Sequence, residues 1–207
     1  MSERKTDAAA SPANWMMHWR RIARRIRVPL GFVAAGVYLW RLVVAVPHPV
    51  AILGSILLVV PGLWLRGYAA GYVKKNQELT QTGPYAYTRN PLYLGSILVA
   101  AGFAVALMHL WFALILAAGF LAIYVPVIAG EEAFLRSTFP DYDAYCQRVP
   151  RLLPRLRAHP SAAATSSGGR FSFDRYRQHR EYRSLLGVIL LYASLIAAYL
   201  LHGHWPH

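Results

Sequence analysis

Acidic residues and cysteine are scarce in this sequence of 207 residues. It contains nine Asp and Glu against 22 Lys and Arg, and Cys146 is its single cysteine. An intramolecular disulfide is therefore excluded. Cys146 has no His or other base beside it, so we interpret it as a small packing residue and not as a nucleophile. Charged residues make up only 15% of the chain, whereas a soluble domain carries about 25%. Much of the surface must face lipid.

Long apolar runs take the place of the missing charge, since 56% of the residues are hydrophobic. A helix needs about 20 mainly apolar residues to cross the hydrocarbon core, with about 17 to 25 tolerated. The stretches that meet or nearly meet this length are Val28 to Val46, Val50 to Val73, Leu92 to Met108, Leu110 to Ala129 and Ser184 to His202. The sequence thus predicts an all-α membrane protein with about five transmembrane helices.

The distribution of Lys and Arg predicts the orientation in the membrane. Seven precede the first predicted span, three lie in residues 74–91, ten lie in residues 130–183, and the loops and tail on the other side have none. Because cytoplasmic loops carry the excess of positive residues, we expect a cytoplasmic amino terminus and a multi-pass protein, in the cytoplasmic or inner membrane if bacterial. These cations lie between apolar runs instead of among exposed aromatics, so nucleic-acid binding is not expected.

The expected organisation has four parts. They are a basic cytoplasmic segment (1–27), a core of four transmembrane helices with a cytoplasmic helical segment (28–157), a flexible and basic interfacial linker (158–183), and a fifth transmembrane helix with its tail (184–207). Residues 1–27 show no compact apolar core followed by a cleavage site, so we expect the first helix to act as the insertion signal. The fifth helix either packs on the bundle or mediates association, and the sequence indicates no oligomeric state.

The second predicted span contains an arginine and two glycines that require explanation. Arg66 either snorkels towards the interface or points into a cavity, because intramembrane charges do both. Gly67 and Gly71 are small residues four apart, the spacing that favours close helix packing. The basic and aromatic segment Arg170 to Arg183 is expected to lie along the anionic cytoplasmic leaflet.

Two segments carry residues suited to chemistry, and the first precedes the third span. Gly83-Pro84 predicts a turn, and Pro91 starts the helix at a position where its missing donor costs nothing. Arg89 and Asn90 then lie at the positive end of that helix. An arginine at a helix amino terminus is a good site for an anion such as a carboxylate.

The second segment follows the fourth span and begins with Glu131-Glu132. Adjacent helical residues point about 100° apart, so the two carboxylates face different surroundings. Glu132 lies four residues before Arg136, the spacing and order that favour a surface ion pair. Glu131 is the freer candidate for a ligand group. Arg151, near the end of this segment, we interpret as a basic interfacial residue in preference to a substrate contact.

These two segments together resemble those of the membrane-embedded isoprenylcysteine carboxyl methyltransferase and phospholipid methyltransferase group. The resemblance rests on Gly83-Pro84-Tyr85, on Arg89-Asn90-Pro91-Leu92-Tyr93 and on Glu131-Glu132-Ala133-Phe134-Leu135, and it covers about residues 50–157. Many members have His where this chain has Asn90. Asn cannot take a charge near neutral pH, so an acid-base role of that His is not carried over to Asn90.

The resemblance implies that cytoplasmic loops form a pocket for S-adenosylmethionine, whose methyl group goes to a lipid or lipid-like acceptor. By this resemblance the residues lining the pocket are Gly83, Pro84, Tyr85, Arg89, Asn90, Tyr93, Glu131 and Glu132, with Arg89 and Glu131 as the catalytic residues. Tyr85 and Tyr93 also fit membrane-interface anchors, a common role of tyrosine. The expected partners are the lipophilic substrate and membrane lipids.

Several alternatives stay open at this point. The acceptor can be an isoprenylcysteine-type carboxylate, a thiol or a phospholipid amine. A sterol-reductase-like enzyme using NADPH and a non-catalytic lipid-binding membrane protein are the rival functions. No metal site is expected, because the terminal His202, His204 and His207 follow the last span near the chain end and do not supply a fixed set of about four ligands.

Overall fold

A computed structural model describes residues 33–74, 78–157 and 169–202, and all regular structure within them is helical. The helices are α1 (Val33–Val44), α2 (Pro49–Tyr72), a 3₁₀ turn (Gly83–Ala86), α3 (Pro91–Leu107), α4 (Leu110–Thr138), α5 (Tyr142–Arg148), α6 (Phe173–Gln178) and α7 (Tyr182–His202). The expectations for residues 1–27, for the linker residues 158–168 and for the tail with His204 and His207 lie outside the described residues.

The prediction of an all-α membrane protein is confirmed. The helices α2, α4 and α7 are long and apolar enough to cross a bilayer. The other two predicted spans correspond to shorter apolar helices, α3 and α1, and only the part of α1 from Val33 onward is described. α4 continues to Thr138, well past the predicted end at Ala129, and so carries Glu131 and Glu132 on the same rigid helix as the span.

Glycines allow α2 and α3 to pack closely against each other. A Cβ atom added to Gly95 of α3 would lie 2.6 Å from the backbone oxygen of Gly62 on α2, and one added to Gly62 would lie 2.8 Å from the oxygen of Gly95. Such distances are far below van der Waals contact, so only glycine fits at both positions. Small residues are how membrane helices bring their backbones together, and this contact fixes the position of α3.

The buried core joins residues of α1, α2, α3, α4 and α7. Val59, Phe103 and Leu195 lie in one cluster contributed by α2, α3 and α7. The hydroxyl of Tyr38 on α1 donates to the backbone oxygen of Leu191 at 2.8 Å. The fifth predicted span therefore packs on the bundle, which is the first of the two alternatives that the sequence left open.

Arg66 forms the main polar contact between α2 and α7. Its Nη2 lies 2.9 Å from Oε2 of Glu181, and its Nε lies 3.1 Å from the same oxygen. Nη1 contacts the hydroxyl of Ser96 and donates to the backbone oxygen of Leu92 at 3.4 Å. The side chain thus reaches a partner on another helix, and every guanidinium nitrogen has an acceptor.

The segment that contains α6 packs on α2 through the two predicted small residues. A Cβ atom added to Gly67 would lie 3.3 Å from the ring of Tyr176, which is a tight contact. A Cβ atom added to Gly71 would collide with the ring of Phe171. The amide of Ser172 donates to the oxygen of Gly71 at 3.0 Å. Close packing at these glycines is confirmed. The location of this basic segment along the cytoplasmic leaflet stays a prediction, and its aromatic residues in addition contact α2.

The glycine contact between α2 and α3 leads to a prediction on stability. We expect Gly95→Ala to lower the free energy of unfolding relative to Gly54→Ala by roughly 1–3 kcal/mol, the usual cost of overpacking. Gly54 is also on α2, and a Cβ there would meet nothing within 4 Å. Both changes replace glycine by alanine within a helix, which favours the helix by about 1 kcal/mol. The difference in the free energy of unfolding between the two variants therefore reports the effect of the α2–α3 contact alone. Thermal unfolding in detergent measures it, and equal midpoints would contradict the close contact.

Candidate active site

The 3₁₀ turn at Gly83–Ala86 places the first motif against α5. Gly83 adopts φ +60°, and a Cβ there would lie 2.6 Å from the ring of Tyr72, so this turn requires glycine. Tyr85 is buried, and its backbone oxygen accepts a hydrogen bond from the hydroxyl of Tyr145 at 2.8 Å. The first motif is thereby attached to residues 60 positions later in the chain.

The residues that lead into α3 run beside the chain that leaves α5. The amide of Arg89 donates to the oxygen of Pro150 at 2.9 Å, and the amide of Arg155 donates to the oxygen of Tyr87 at 3.0 Å. Between them, Nδ2 of Asn90 donates to the oxygen of Arg151 at 2.8 Å. Asn90 is buried and precedes α3 without capping it by its side chain. The side-chain amide of Asn90 therefore links the residues before α3 to the residues after α5.

An ion cluster joins the two motifs. Glu132 lies 3.4 Å from Nη1 of Arg89 and 3.0 Å from Nη2 of Arg151, and Nε of Arg151 adds a hydrogen bond to it at 3.1 Å. The side chains of Arg89 and Glu132 are only 14% and 16% exposed. Two guanidinium groups share one carboxylate, so the cluster keeps one excess positive charge at the amino terminus of α3, where the helix also favours an anion.

The expected surface pair of Glu132 with Arg136 is wrong. Arg136 instead pairs with Asp143 of α5, its Nε lying 2.7 Å from Oδ1. The spacing of four residues is a weak preference worth a few tenths of a kcal/mol, and the deeper, doubly charged environment of Arg89 and Arg151 prevails. Arg151 also belongs to this ion cluster, and its interfacial location stays a prediction.

The nitrogens of the Arg89 guanidinium differ in their hydrogen-bond partners. Its Nη1 donates to Sγ of Cys146 at 2.7 Å in addition to contacting Glu132. Its Nε is buried and has no hydrogen-bond partner among the described residues. Leaving a buried donor unsatisfied costs about 1–3 kcal/mol, more for a charged group. Cys146 remains the packing residue it was predicted to be, against the Tyr142 and Tyr145 cluster.

Glu131 is exposed and is not one of the partners in this ion cluster. Its carboxylate is close enough to Tyr85 to act on its phenol. Burial raises the pKa of Tyr85 above its ordinary value, and the negative charges of Glu131 and Glu181 raise that pKa further. The phenol therefore stays protonated at neutral pH and can serve only as a neutral group beside the two carboxylates.

Tyr93 contributes to an aromatic surface between α3 and α4. Its ring packs edge-on against Tyr124, with centroids 5.3 Å apart, and Tyr124 stacks on Phe120 at 4.3 Å. Of the predicted site residues, Tyr85, Arg89 and Asn90 bond to residues 145–155, and Glu132 bonds to Arg89 and Arg151. Gly83 lies against Tyr72 of α2, and Pro84 is buried in the same turn. Glu131 and Tyr93 are neighbours of these residues in the chain. Sequence reasoning missed the part played by Tyr145 and Arg151, although both lie in the second motif segment.

Metal-ligating side chains do not gather in the part of the chain described by the structure, since no group of three His, Cys, Asp or Glu there could hold an ion. Nε2 of His202 lies 2.9 Å from the backbone oxygen of Leu42 on α1, so this side chain is bonded within the bundle.

Comparison with known proteins gives a family and two curated relatives. The model of the phospholipid methyltransferase family matches residues 40–142. The nickel-cobalt-cadmium resistance protein NccN of Alcaligenes xylosoxydans xylosoxydans is 36% identical over 107 residues, 52% of this chain and 49% of that protein. The cobalt-zinc-cadmium resistance protein CzcN of Cupriavidus metallidurans is 38% identical over 104 residues, 50% of this chain and 47% of that protein. The chain thus spans about half the length of these relatives. No solved structure matches.

The ion cluster predicts that the two adjacent glutamates contribute unequally to stability. Glu132→Ala leaves Arg89 and Arg151 without their shared carboxylate, and we expect it to lower the free energy of unfolding by about 2 kcal/mol. Glu131→Ala changes an exposed side chain and should stay within about 0.5 kcal/mol of the wild type. Thermal unfolding of both variants, with Arg136→Ala as an exposed ion-pair control, tests this. An equal loss in the two glutamate variants would contradict the arrangement.

Proposed function

Because residues 40–142 of this chain belong to the phospholipid methyltransferase family, we propose that it is an S-adenosylmethionine-dependent methyltransferase acting on a lipophilic acceptor at the membrane. Family membership supports a membrane methyltransferase in general. The cofactor and the acceptor are the proposed part. The guanidinium of Arg89, held before α3 in a cluster with one excess positive charge, is the observation that carries the cofactor assignment.

The residues around Arg89 fit the charged groups of the cofactor. S-adenosylmethionine supplies a methyl group on a sulfonium, and it also carries a carboxylate, an ammonium and an adenine. Arg89 offers a donor for the carboxylate, in a cluster with one excess positive charge. Glu131 is an exposed carboxylate that can bind the ammonium. The rings of Tyr93 and Tyr124 offer an apolar surface for the adenine.

The roles of the two acids follow from their different partners. Glu132 is a positioning residue, since it holds Arg89 and Arg151 and has no unpaired oxygen in the cluster. Glu131 is the carboxylate proposed to contact the ligands. Asn90 has its amide committed to Arg151, so it supports the loop and does not move a proton. Gly83, Pro84 and Tyr85 shape the loop beside the pocket.

Catalysis of methyl transfer depends mainly on alignment. An in-line displacement needs the acceptor atom, the methyl carbon and the sulfur on one line, with water removed from the attacking atom. The backbone hydrogen bonds between residues 87–90 and 150–155 provide a rigid frame for this alignment. Tyr85 adds a buried, neutral surface beside Glu131.

The proposed orientation follows the distribution of positive residues. We place the amino terminus and both motif segments on the cytoplasmic side, because residues 74–91 and 130–183 contain the Lys and Arg of the loops. This side also contains S-adenosylmethionine in a cell. The acceptor would then come from the bilayer and the cofactor from the cytoplasm, which agrees with a site at the ends of membrane helices.

Calorimetry with purified protein tests the cofactor assignment. We expect S-adenosylmethionine to bind the wild type with a dissociation constant on the order of micromolar, and Arg89→Ala and Glu131→Ala to weaken it at least about tenfold, or about 1.4 kcal/mol. Arg136→Ala should retain the affinity, because this exposed arginine pairs with Asp143 away from Arg89.

Absence of binding to a wild-type sample that shows a cooperative thermal transition would contradict the proposal. Binding of NADPH by the same sample would then favour the reductase, and binding of neither would favour the non-catalytic role.

A further inference from the structure

A second concave site lies between α2, α6 with its preceding residues, and the start of α7. It is a cavity of about 640 Å³, and its lining contains none of the residues of the two motifs. That volume is in the range of sites that bind small molecules. Two of its three walls, α6 and α7, lie outside residues 40–142, so the family match does not account for it.

The walls of this cavity are flat and aromatic. Trp64 stacks on Tyr68 with centroids 5.0 Å apart and an angle of 13° between rings, and Tyr68 stacks on Phe171 at 6.1 Å and 13°. On the α6 side, Phe173 stacks on Tyr176 at 5.6 Å. Parallel rings expose a broad apolar face, which suits an unsaturated or planar hydrocarbon body.

The polar end of the cavity carries no unpaired charge. Among its lining residues the charged ones are Arg66 and Glu181, and they pair with each other at 2.9 Å. Ser184 bonds to both, at 3.3 Å from each. Separating such a partly buried pair is costly because each charge would lose its partner. An anionic or cationic head group would have to compete with that pair, whereas an uncharged hydroxyl or thiol group needs only to donate to Oγ of Ser184, whose own proton goes to Glu181.

This polar end is next to the candidate active site. Nη1 of Arg66 donates to the oxygen of Leu92, which lies two residues after Asn90 in the first turn of α3. The side chain of Arg66 also passes beside Gly95, where an added Cβ would lie 2.6 Å from Cγ of Arg66. The negative charges of Glu131 and Glu181 both raise the pKa of Tyr85. The two sites thus share the start of α3.

We propose that this cavity is the acceptor site, and that it takes an uncharged lipophilic molecule with a weakly polar end, such as a long-chain alcohol, phenol or thiol. The apolar body lies along the rings of Trp64, Tyr68 and Phe171, and the polar end lies at Arg66, Glu181 and Ser184. This inference rests on the proposed function in one respect only, that the bound molecule accepts the methyl group. The transfer would break the S–CH3 bond of the sulfonium and form an O–CH3 or S–CH3 bond, with S-adenosylhomocysteine as the leaving group. The proton of the acceptor would pass to the carboxylate of Glu181, the acid in the cavity lining. The cavity excludes charged phospholipid head groups through its neutral polar end.

Photolabelling of the full-length protein in phosphatidylcholine nanodiscs tests this binding without methyl transfer. We use a diazirine-tagged prenol as the uncharged probe and a diazirine-tagged phosphatidylglycerol as the anionic one. The prenol adducts should map by mass spectrometry to residues 60–68, 171–176 and 181–185. Adducts spread over the exposed apolar surface of α4, or stronger labelling of the cavity by the anionic probe, would overturn the proposal.

A matched pair of variants on α2 provides the second test. Val60→Trp fills the cavity that Val60 lines, whereas Val50→Trp adds the same ring at an exposed valine outside it. We expect Val60→Trp to reduce prenol labelling of the cavity by about tenfold, equivalent to about 1.4 kcal/mol, and Val50→Trp to leave it unchanged. Equal labelling of the two variants would overturn the proposal. If Val60→Trp fails to fold, the adduct map of the wild type decides.

The same samples separate this inference from the proposed function. Val60→Trp should retain its affinity for S-adenosylmethionine, because the cavity lining contains none of the residues assigned to the cofactor. Cavity labelling in a wild type that does not bind S-adenosylmethionine would reject the methyltransferase and the acceptor role together, and would leave a lipid-binding site. Cofactor binding without cavity labelling would reject the acceptor site alone.

Discussion

The carboxylate of Glu132 is the interaction on which the candidate active site depends. It lies on α4, yet its partners Arg89 and Arg151 belong to the start of α3 and to the chain that follows α5. Without it, the largely buried guanidinium of Arg89 and the more exposed one of Arg151 would lie close together with no counter-charge. Around this contact the backbone hydrogen bonds of residues 87–90 and 150–155 align the loops. The cluster thus converts three separate segments into one rigid site with an excess positive charge.

The packing of the membrane helices determines where that site can form. Gly62 and Gly95 bring α2 and α3 into backbone contact, which places the first turn of α3 beside Arg66. Arg66 in turn holds the start of α7 through Glu181. Arg66 lines the cavity and contacts Leu92 and Ser96 of α3, and Arg89 and Asn90 precede the same helix at the proposed cofactor pocket. A donor from the cytoplasm and an acceptor from the bilayer can meet at its amino terminus.

Local patterns in the sequence predicted the helices, the turn at Gly83-Pro84 and the two motif segments, because hydrophobic runs and turn residues act over a few positions. Pairings between distant residues could not be predicted in this way. Arg66 and Glu181 are 115 residues apart, and nothing local marks Glu181 as its partner. Glu132 was assigned to Arg136 because the spacing rule considers one helix alone. The choice of partner depends on burial and on the second arginine, Arg151, which only the tertiary structure brings near.

Transfer of a labelled methyl group tests the central claim most directly. Purified protein in nanodiscs made from bacterial membrane lipid extract is incubated with S-adenosylmethionine that carries a radioactive methyl group, and the organic-soluble fraction is counted. The account predicts label in a lipophilic product with the wild type and with Arg136→Ala, and none above background with Arg89→Ala. Label that stays in the aqueous fraction with every protein, although the wild type binds the cofactor, would contradict a lipophilic acceptor.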